Sequence, residues 1–143
     1  MKLIPVERED LWATQILWDL LVQRPAENNI SHREMPTWEE HALFVRENPY
    51  ADWRIIDVDR QSIGAIYLSK PGSPSVPGNE IGIDIFKEFQ GKGYGAQAVK
   101  MLMEMHGARR YCANTSPTNE ASQALFKSLG FKLCQFTFAK DAE

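Results

Sequence analysis

Several features that would place this chain in a specialised class are scarce. Only 2 of the 143 residues are cysteines, Cys112 and Cys134, which excludes a disulfide-stapled scaffold and favours two core thiols in a reducing compartment. No apolar run is long enough to span a bilayer. The 3 histidines lie far apart in the sequence and lack the spacing of metal ligands, so no metal site is expected.

Net charge is also small. Its value of −3 gives no overall attraction to nucleic acid or to an anionic membrane. Residues 1–10 turn acidic before any apolar segment develops, so we expect no signal peptide and a cytoplasmic protein. With 43% hydrophobic residues the chain can bury one sizeable core, and residues 1–143 are expected to form a single domain.

What the sequence does contain is a glycine-rich loop between an apparent strand and an apparent helix. Residues 80–86 alternate apolar and polar side chains, as in a half-buried strand, and residues 96–105 carry apolar side chains that suit a helix. A glycine turn that opens a helix leaves backbone N–H groups without partners at the positive end of the helix dipole. The loop is therefore predicted to bind an anionic cofactor through Gln90, Gly91, Lys92, Gly93, Tyr94, Gly95 and Ala96.

Two common phosphate-binding loops fit this segment poorly. A P-loop requires a serine or threonine directly after its lysine, whereas Lys92 is followed by Gly93. Gly91, Gly93 and Ala96 do match the spacing of the dinucleotide fingerprint. That fingerprint also needs an acidic residue about 20 positions later, and residues 105–119 contain no Asp or Glu. The dinucleotide interpretation is therefore disfavoured.

A second segment identifies the type of loop. Residues 119–131 read Asn-Glu-Ala-Ser-Gln-Ala-Leu-Phe-Lys-Ser-Leu-Gly-Phe, which predicts a helix with a left-handed cap at Gly130. This segment and the Gln-x-x-Gly-x-Gly pattern at residues 90–95 together resemble the GNAT superfamily of N-acetyltransferases. The resemblance extends over about residues 53–138, and the N-terminal third carries no diagnostic motif.

The resemblance implies an α/β fold with a mixed, mostly antiparallel central sheet, helices on both faces and a splayed parallel strand pair that binds the cofactor. The predicted strands lie at residues 3–6, 53–58, 62–69, 80–86, 110–114 and 131–138. The predicted helices lie at residues 10–23, 38–47, 93–105 and 119–129. Residues 71–78, rich in proline and glycine, are expected to form a linker within the domain. An exposed last strand would allow two copies to pair as a homodimer.

For function, the resemblance implies transfer of an acetyl group from acetyl-CoA to a primary amine, without a metal. The pyrophosphate would lie on the glycine loop, and the pantetheine arm would bond to the backbone from Ile83 to Ile85. A backbone N–H near Ile85 would stabilise the oxyanion of the tetrahedral intermediate. Asn119 and Ser122 match positions that contact the cofactor in the family.

Two carboxylates on the fourth strand are candidates for the base that deprotonates the amine. Glu80 begins this strand in a Glu-Ile-Gly context that related acetyltransferases show, and it would act through a water. Asp84 lies on the same face, four residues along the strand. The alternative is that both are solvated carboxylates at a polar part of the sheet.

The sequence also departs from the family pattern. Many members place a tyrosine four residues before the Gly-Phe pair, where it protonates the departing thiolate, but this chain has Phe126 there. Asn114 occupies a strand position where some protein N-terminal acetyltransferases carry a glutamate base. Tyr67, Tyr94 and Tyr111 are substitute proton donors without positional support. These changes leave cofactor binding intact and the proton transfers unassigned.

The acceptor is the least constrained part of the interpretation. A small-molecule amine such as an amino sugar is favoured, because the chain has no long acidic run to grip a polyamine or a basic peptide. One alternative is a protein N-terminal or lysine acetyltransferase. Another, motivated by Phe126, is a non-catalytic acyl-CoA-binding module. In this fold the polar loop that contains His32 would border the acceptor cleft.

Overall fold

A computed structural model describes residues 1–25, 34–71, 78–108 and 110–142. In chain order the elements are β1 (Lys2–Pro5), α1 (Leu11–Gln23), α2 (Trp38–Glu47), β2 (Asp52–Val58), β3 (Gln61–Leu68), β4 (Asn79–Ile85), α3 (Tyr94–His106), β5 (Tyr111–Cys112) and α4 (Glu120–Ser128). A 3₁₀ turn at Lys87–Phe89 leads from β4 to the glycine loop. His32, and all but the ends of the linker expected at residues 71–78, lie outside the described residues.

The strands form one sheet in the order β1-β2-β3-β4-β5. The pairs from β1 to β4 are antiparallel, and β4 pairs with β5 in parallel. Successive side chains along each strand point to opposite faces of the sheet, so each face can carry its own apolar core. The mixed, mostly antiparallel sheet that the sequence predicts is confirmed.

A pair of helices covers each face of the sheet. One core lies between the sheet and the helices α3 and α4, and its members include Ile66, Ile81, Val99, Leu102 and Phe126. The other core lies between the sheet and the helices α1 and α2, and its members include Ala13, Leu17, Leu20, Val45, Ile55 and Ala65. We call the second side of the sheet the α1–α2 face.

Local signals in the sequence explain where the helices begin and end. Asp10 caps α1, and Thr37 and Glu40 form the capping box that opens α2. Gly107 ends α3 with φ of 58°, and Gly130 follows α4 with φ of 88°. Both glycines adopt the left-handed conformation that allows a helix to end in a tight turn.

The strand predicted at residues 131–138 is wrong. The structure describes residues 131–142 as a segment without regular secondary structure. Its side chains lie largely in solvent: Leu133, Phe136 and Phe138 are 71%, 74% and 93% exposed. This described tail therefore provides no strand through which two copies would pair.

The sequence of the tail explains why it forms no half-buried strand. Phe131 and Leu133 occupy odd positions, whereas Phe136 and Phe138 occupy even positions. A strand that buried the first pair would turn the second pair towards solvent, because the side-chain period of a strand is two. Cys134, expected in the core, is also exposed.

We expect a chain that ends after Phe131 to keep the stability of the full-length chain. The aromatic ring of Phe131 packs against that of buried Phe126, with centroids 5.1 Å apart, and its N–H donates to the Phe126 carbonyl oxygen at 3.0 Å. Residues 132–142 are exposed. Their removal should shift Tm by less than about 2 °C in a thermal melt, since exposed positions contribute about 0.5 kcal/mol or less.

The matched control is Phe131→Ala in the full-length chain. It removes the ring that packs on Phe126 and should lower the free energy of unfolding by about 1–3 kcal/mol, less than for a fully buried phenylalanine. A truncated chain that melts as early as this variant would show that the tail packs on the domain in solution.

Candidate active site

The glycine loop opens α3 as the sequence predicts. Gly93 is the N-cap of α3 with φ of 82°, and Gly91 has φ of 78°, conformations that favour glycine. Gly93 has no side chain that could cap the helix. The first N–H groups of α3, which belong to Tyr94, Gly95 and Ala96, therefore have no side-chain cap. A Cβ added at Gly91 or Gly93 would meet no described atom within 4 Å, so the loop borders open space.

Gly95 differs from the other two loop glycines. It is buried, and a Cβ added there would lie 2.4 Å from Cδ1 of Leu125 on α4. The absence of a side chain therefore lets α3 and α4 approach each other. Packing explains this glycine, and contact of its N–H with a cofactor stays a prediction.

The remaining predicted cofactor residues lie on the loop and at the start of α4. Lys92 is exposed, with Nζ 5.9 Å from the centroid of the Phe89 ring. Asn119 is the N-cap of α4, where its Oδ1 accepts a hydrogen bond from the N–H of Ser122 at 3.1 Å. The asparagine thus has a structural task, and contact of Asn119 or Ser122 with a cofactor stays a prediction.

β4 and β5 separate after two residue pairs. Asn79 pairs with Tyr111 and Glu80 pairs with Cys112, and the ladder ends there. β5 contains only these two residues, fewer than the predicted 110–114. In the described part of the chain, the rest of β4 has no neighbouring strand on this side. The opening is the splayed strand pair that the sequence predicts, and we call it the β4–β5 gap.

The register of β4 decides which of its backbone groups face this gap. Phe86, the residue directly after β4, donates its N–H to the carbonyl oxygen of Ile63 in β3 at 2.8 Å. Backbone groups of successive residues point to opposite sides of a strand, so even-numbered residues of β4 bond towards β3. The N–H and C=O groups of Ile83 and Ile85 therefore point into the gap.

Two side-chain amides hold the Ile85 carbonyl oxygen. Nε2 of Gln23, at the end of α1, donates to it at 3.0 Å, and Nε2 of Gln90 in the loop donates at 2.8 Å. Oε1 of Gln23 also accepts the Lys87 N–H at 2.9 Å. The peptide between Ile85 and Phe86 is thereby fixed in orientation. Sequence reasoning missed Gln23, because this partner lies 62 residues away along the chain.

The Glu80 carboxylate is bound at both of its oxygens. The Tyr67 hydroxyl donates to Oε1 at 2.9 Å, and Nδ2 of Asn114 donates to Oε2 at 2.7 Å. The backbone N–H of Glu80 donates to Oγ of Ser69 at 2.8 Å. Glu80 is only half-buried, so the carboxylate is held in one orientation and still reachable. Asn114, at the position for which the sequence resemblance raised a glutamate base, contributes to this orientation.

Asp84 lies on the same face of β4 in a different environment. Its Oδ2 accepts hydrogen bonds from Nη2 of Arg24 at 2.6 Å and from Nε of Arg24 at 3.1 Å. Burial raises the pKa of Asp84 above its usual value, and the Arg24 guanidinium opposes this shift. A carboxylate paired with a guanidinium is a weaker candidate for the base than Glu80 is.

Two stacked tyrosines form a wall beside Glu80. The ring centroids of Tyr50 and Tyr67 are 3.9 Å apart, and the ring planes differ by 9°. A Cβ added at Gly82 would lie 2.1 Å from the Tyr67 ring, so this ring requires glycine beneath it. Burial, and then the negative charge of Glu80, raise the pKa of Tyr50 to about 12. Burial likewise raises the pKa of Tyr67, with smaller contributions from Tyr50 and Glu80.

The tyrosines considered as substitute proton donors are engaged elsewhere. Phe126, at the usual position of the acid, is a core residue. The Tyr111 hydroxyl bonds to two backbone groups near the end of α3, at 2.8 Å and 3.0 Å. Tyr94 packs against the core under α3, and Tyr67 donates to Glu80. The leaving thiolate is therefore not assigned a tyrosine acid.

The described residues contain no group of three or more side chains arranged to hold a metal ion. Within the same residues, no helix has the length and apolar character needed to cross a membrane. His41 is buried, with Nε2 2.9 Å from the Thr14 carbonyl oxygen. Burial lowers the pKa of His41, which suits a neutral ring that links α2 to α1.

Comparison with protein families gives a match over most of the chain. The model of the acetyltransferase (GNAT) domain matches residues 1–132. No curated protein sequence matches the chain.

Solved structures share the fold at low sequence identity. An acetyltransferase from Thermus thermophilus is 23% identical with a TM-score of 0.71, and the match covers 92% of this chain and 86% of that one. RimL, a ribosomal α-N-protein acetyltransferase in complex with coenzyme A, is 21% identical with a TM-score of 0.68, over 89% and 82% of the two chains. An aminoglycoside 6′-N-acetyltransferase from Acinetobacter haemolyticus is 15% identical with a TM-score of 0.67, over 100% of both chains.

Replacing Arg24 by glutamine should destabilise the protein more at about pH 8 than at about pH 5. Loss of the guanidinium raises the pKa of Asp84 further above its unfolded value. Such a carboxyl stabilises the fold below its unfolded pKa and loses this contribution as the pH rises through its folded pKa. The expected loss near pH 8 is about 1–2 kcal/mol, less than for a fully buried pair.

Urea unfolding at both pH values measures the effect. The matched control is Arg24→Gln combined with Asp84→Asn, which keeps the shape of the pair and removes the titrating group. Its loss of stability relative to the wild type should not increase from about pH 5 to about pH 8, because it has no carboxyl at position 84 to ionise. A single variant that loses the same stability at both pH values would contradict the expectation.

Proposed function

Because the chain belongs to the GNAT acetyltransferase family, we propose that it transfers an acetyl group from acetyl-CoA to the primary amine of a small molecule. The observation that carries the proposal is the β4–β5 gap, where the backbone of Ile83 and the N–H of Ile85 have no strand partner among the described residues. From the end of β4 the chain runs through the 3₁₀ turn to the glycine loop at the N-terminus of α3. The amine would attack the thioester directly, in a ternary complex.

Donor chemistry supports binding of acetyl-CoA along this path. The N–H groups of Tyr94, Gly95 and Ala96, at the positive end of α3, suit a pyrophosphate, and the Lys92 ammonium adds charge beside them. An extended arm that contains amides can bond to an open strand edge as an added strand does. The backbone of Ile83 provides such an edge in the gap.

The proposed reaction needs a neutral amine and a donor for the oxyanion. Glu80 takes a proton from the ammonium through a water, and the amine nitrogen then attacks the thioester carbon. The Ile85 N–H donates to the oxyanion of the intermediate. The C–S bond breaks and the nitrogen loses its second proton to water, which leaves the neutral amide. CoA leaves as a thiolate that takes a proton from water, since a thiol has a pKa of about 8.5. Phe126 takes no part in these steps.

A small acceptor such as an amino sugar is favoured by the charge on the α1–α2 face. Arg24 pairs with Asp84, which leaves Glu80 beside the tyrosine wall as the carboxylate for an incoming ammonium. One carboxylate next to aromatic rings suits a single ammonium group better than a basic peptide. A protein N-terminal or lysine acetyltransferase is the second candidate, since one related structure is named a ribosomal α-N-protein acetyltransferase. Another is named an aminoglycoside acetyltransferase, which agrees with a small acceptor.

The binding prediction concerns Gly93. Gly93→Asp places a carboxylate at the N-terminus of α3 and should weaken acetyl-CoA binding at least about 30-fold in a calorimetric titration, because like charges repel at the pyrophosphate. Gly93→Asn is the matched control, because asparagine has the shape of aspartate without its charge. Both side chains must adopt the same left-handed backbone conformation at this position. The asparagine variant should bind within about fivefold of the wild type. Equal loss in both variants would argue against an anion at this loop.

The turnover prediction concerns Glu80. Wild-type protein with acetyl-CoA and a panel of amino sugars, polyamines and peptides should release free CoA, measured with a thiol reagent. Glu80→Gln should lower kcat by about 100-fold, because the amide cannot take the proton, while acetyl-CoA still binds. Turnover with peptides alone would favour the protein-directed alternative. Tight binding without turnover on any amine would favour an acyl-CoA-binding module.

A further inference from the structure

We propose that Tyr67 is a positioning residue for this reaction: its hydroxyl holds the Glu80 carboxylate in the orientation from which Glu80 takes the proton of the acceptor. The inference rests on the proposed function, in which Glu80 is the base. It deepens that function by assigning the base a partner on a neighbouring strand, whereas in the sequence Tyr67 was one of three tyrosines considered only as substitute proton donors.

The hydrogen bonds of Glu80 set the orientation of its carboxylate plane. Tyr67 binds Oε1 at 2.9 Å and Asn114 binds Oε2 at 2.7 Å, so the two donors grip different oxygens. An ionised carboxylate has about four acceptor positions, and two donors leave capacity for a proton from water. Hydrogen bonds to both oxygens restrict rotation of the carboxylate plane, which a single hydrogen bond would allow.

The two donors are not equivalent. Asn114 is exposed, and water competes for its partners. The Tyr67 ring lies between the parallel ring of Tyr50, whose centroid is 3.9 Å away, and Gly82, which it contacts so closely that a Cβ would not fit. The Tyr67 hydroxyl donates to Glu80 at 2.9 Å, and burial raises its pKa, which makes it a poor proton donor for the leaving thiolate. Tyr67 is therefore the rigid member of the pair.

The presence of glycine at position 82 supports this assignment. Strand interiors disfavour glycine, because it adds no packing and loses more entropy on folding. Here a Cβ would push directly into the Tyr67 ring, at 2.1 Å. The glycine is thus explained by the position that the ring must take for its hydroxyl to reach Glu80.

A double-mutant cycle tests the inference. The variants are Tyr67→Phe, Glu80→Gln and the two combined, with kcat and the KM for acetyl-CoA measured for each. Tyr67→Phe removes one oxygen and keeps the ring, and it should lower kcat about tenfold with KM for acetyl-CoA unchanged. In the Glu80→Gln background the same substitution should change kcat by less than about twofold, because the carboxylate through which it acts is already gone.

Two further variants separate positioning from folding. Tyr111→Phe removes the hydroxyl of another half-buried tyrosine, which bonds to backbone near the end of α3. It should affect thermal stability and leave kcat unchanged. Asn114→Ala removes the second donor at an exposed position, so it should fold even if Tyr67→Phe does not. It too should lower kcat only when Glu80 is present.

The outcomes distinguish this inference from the proposed function. An effect of Tyr67→Phe and of Asn114→Ala that depends on Glu80 supports it. An active wild type in which the substitutions have no effect, or the same effect with and without Glu80, overturns the inference and leaves acetyl transfer standing. A wild type that turns over no amine overturns both.

Discussion

The separation of β4 from β5 just beyond Glu80 is the constraint on which the rest of the site depends. A strand without a neighbour leaves N–H and C=O groups that need partners. In β4 this occurs at Ile83 and at the N–H of Ile85, inside a sheet whose two faces are both covered by helices. The Ile85 carbonyl oxygen is already bound by the amides of Gln23 and Gln90. The direction left open lies in the plane of the sheet, and an extended molecule that carries amides can satisfy the strand from there.

One short strand therefore has three separate tasks. The side chain of Ile81 packs in the core under α3, the backbone of Ile83 and Ile85 faces the gap, and the even-numbered residues line the α1–α2 face. On that face the order is a carboxylate, a glycine under an aromatic ring, and a carboxylate already paired with arginine. The alternation of a β-strand keeps these tasks apart, so that a change on one face leaves the others in place.

Local patterns in the sequence predicted the local structure. Thr37 with its capping box and Gly93 with its helix start were predictable because each depends on residues only a few positions away. The Arg24–Asp84 ion pair spans 60 residues and the Gln23–Ile85 hydrogen bond spans 62, and no nearby residue announces either one. The strand predicted at residues 131–138 is wrong because the apolar residues change from odd to even positions within it, so they cannot share one face of a strand. The sequence thus indicated where the glycine loop and the helix after it lie, and not which side chains bond to each other on the α1–α2 face.

The amide of Gln23 links the end of β4 to α1, a helix that belongs to the other side of the sheet from α3. It belongs to the last turn of α1, yet it fixes the Ile85 carbonyl and the Lys87 N–H at once. Fraying of that last turn would release the Lys87 N–H and leave the Ile85 carbonyl with Gln90 as its only side-chain donor among the described residues. The order of the chain between β4 and the 3₁₀ turn therefore depends in part on the local stability of the end of α1, on one face of the sheet.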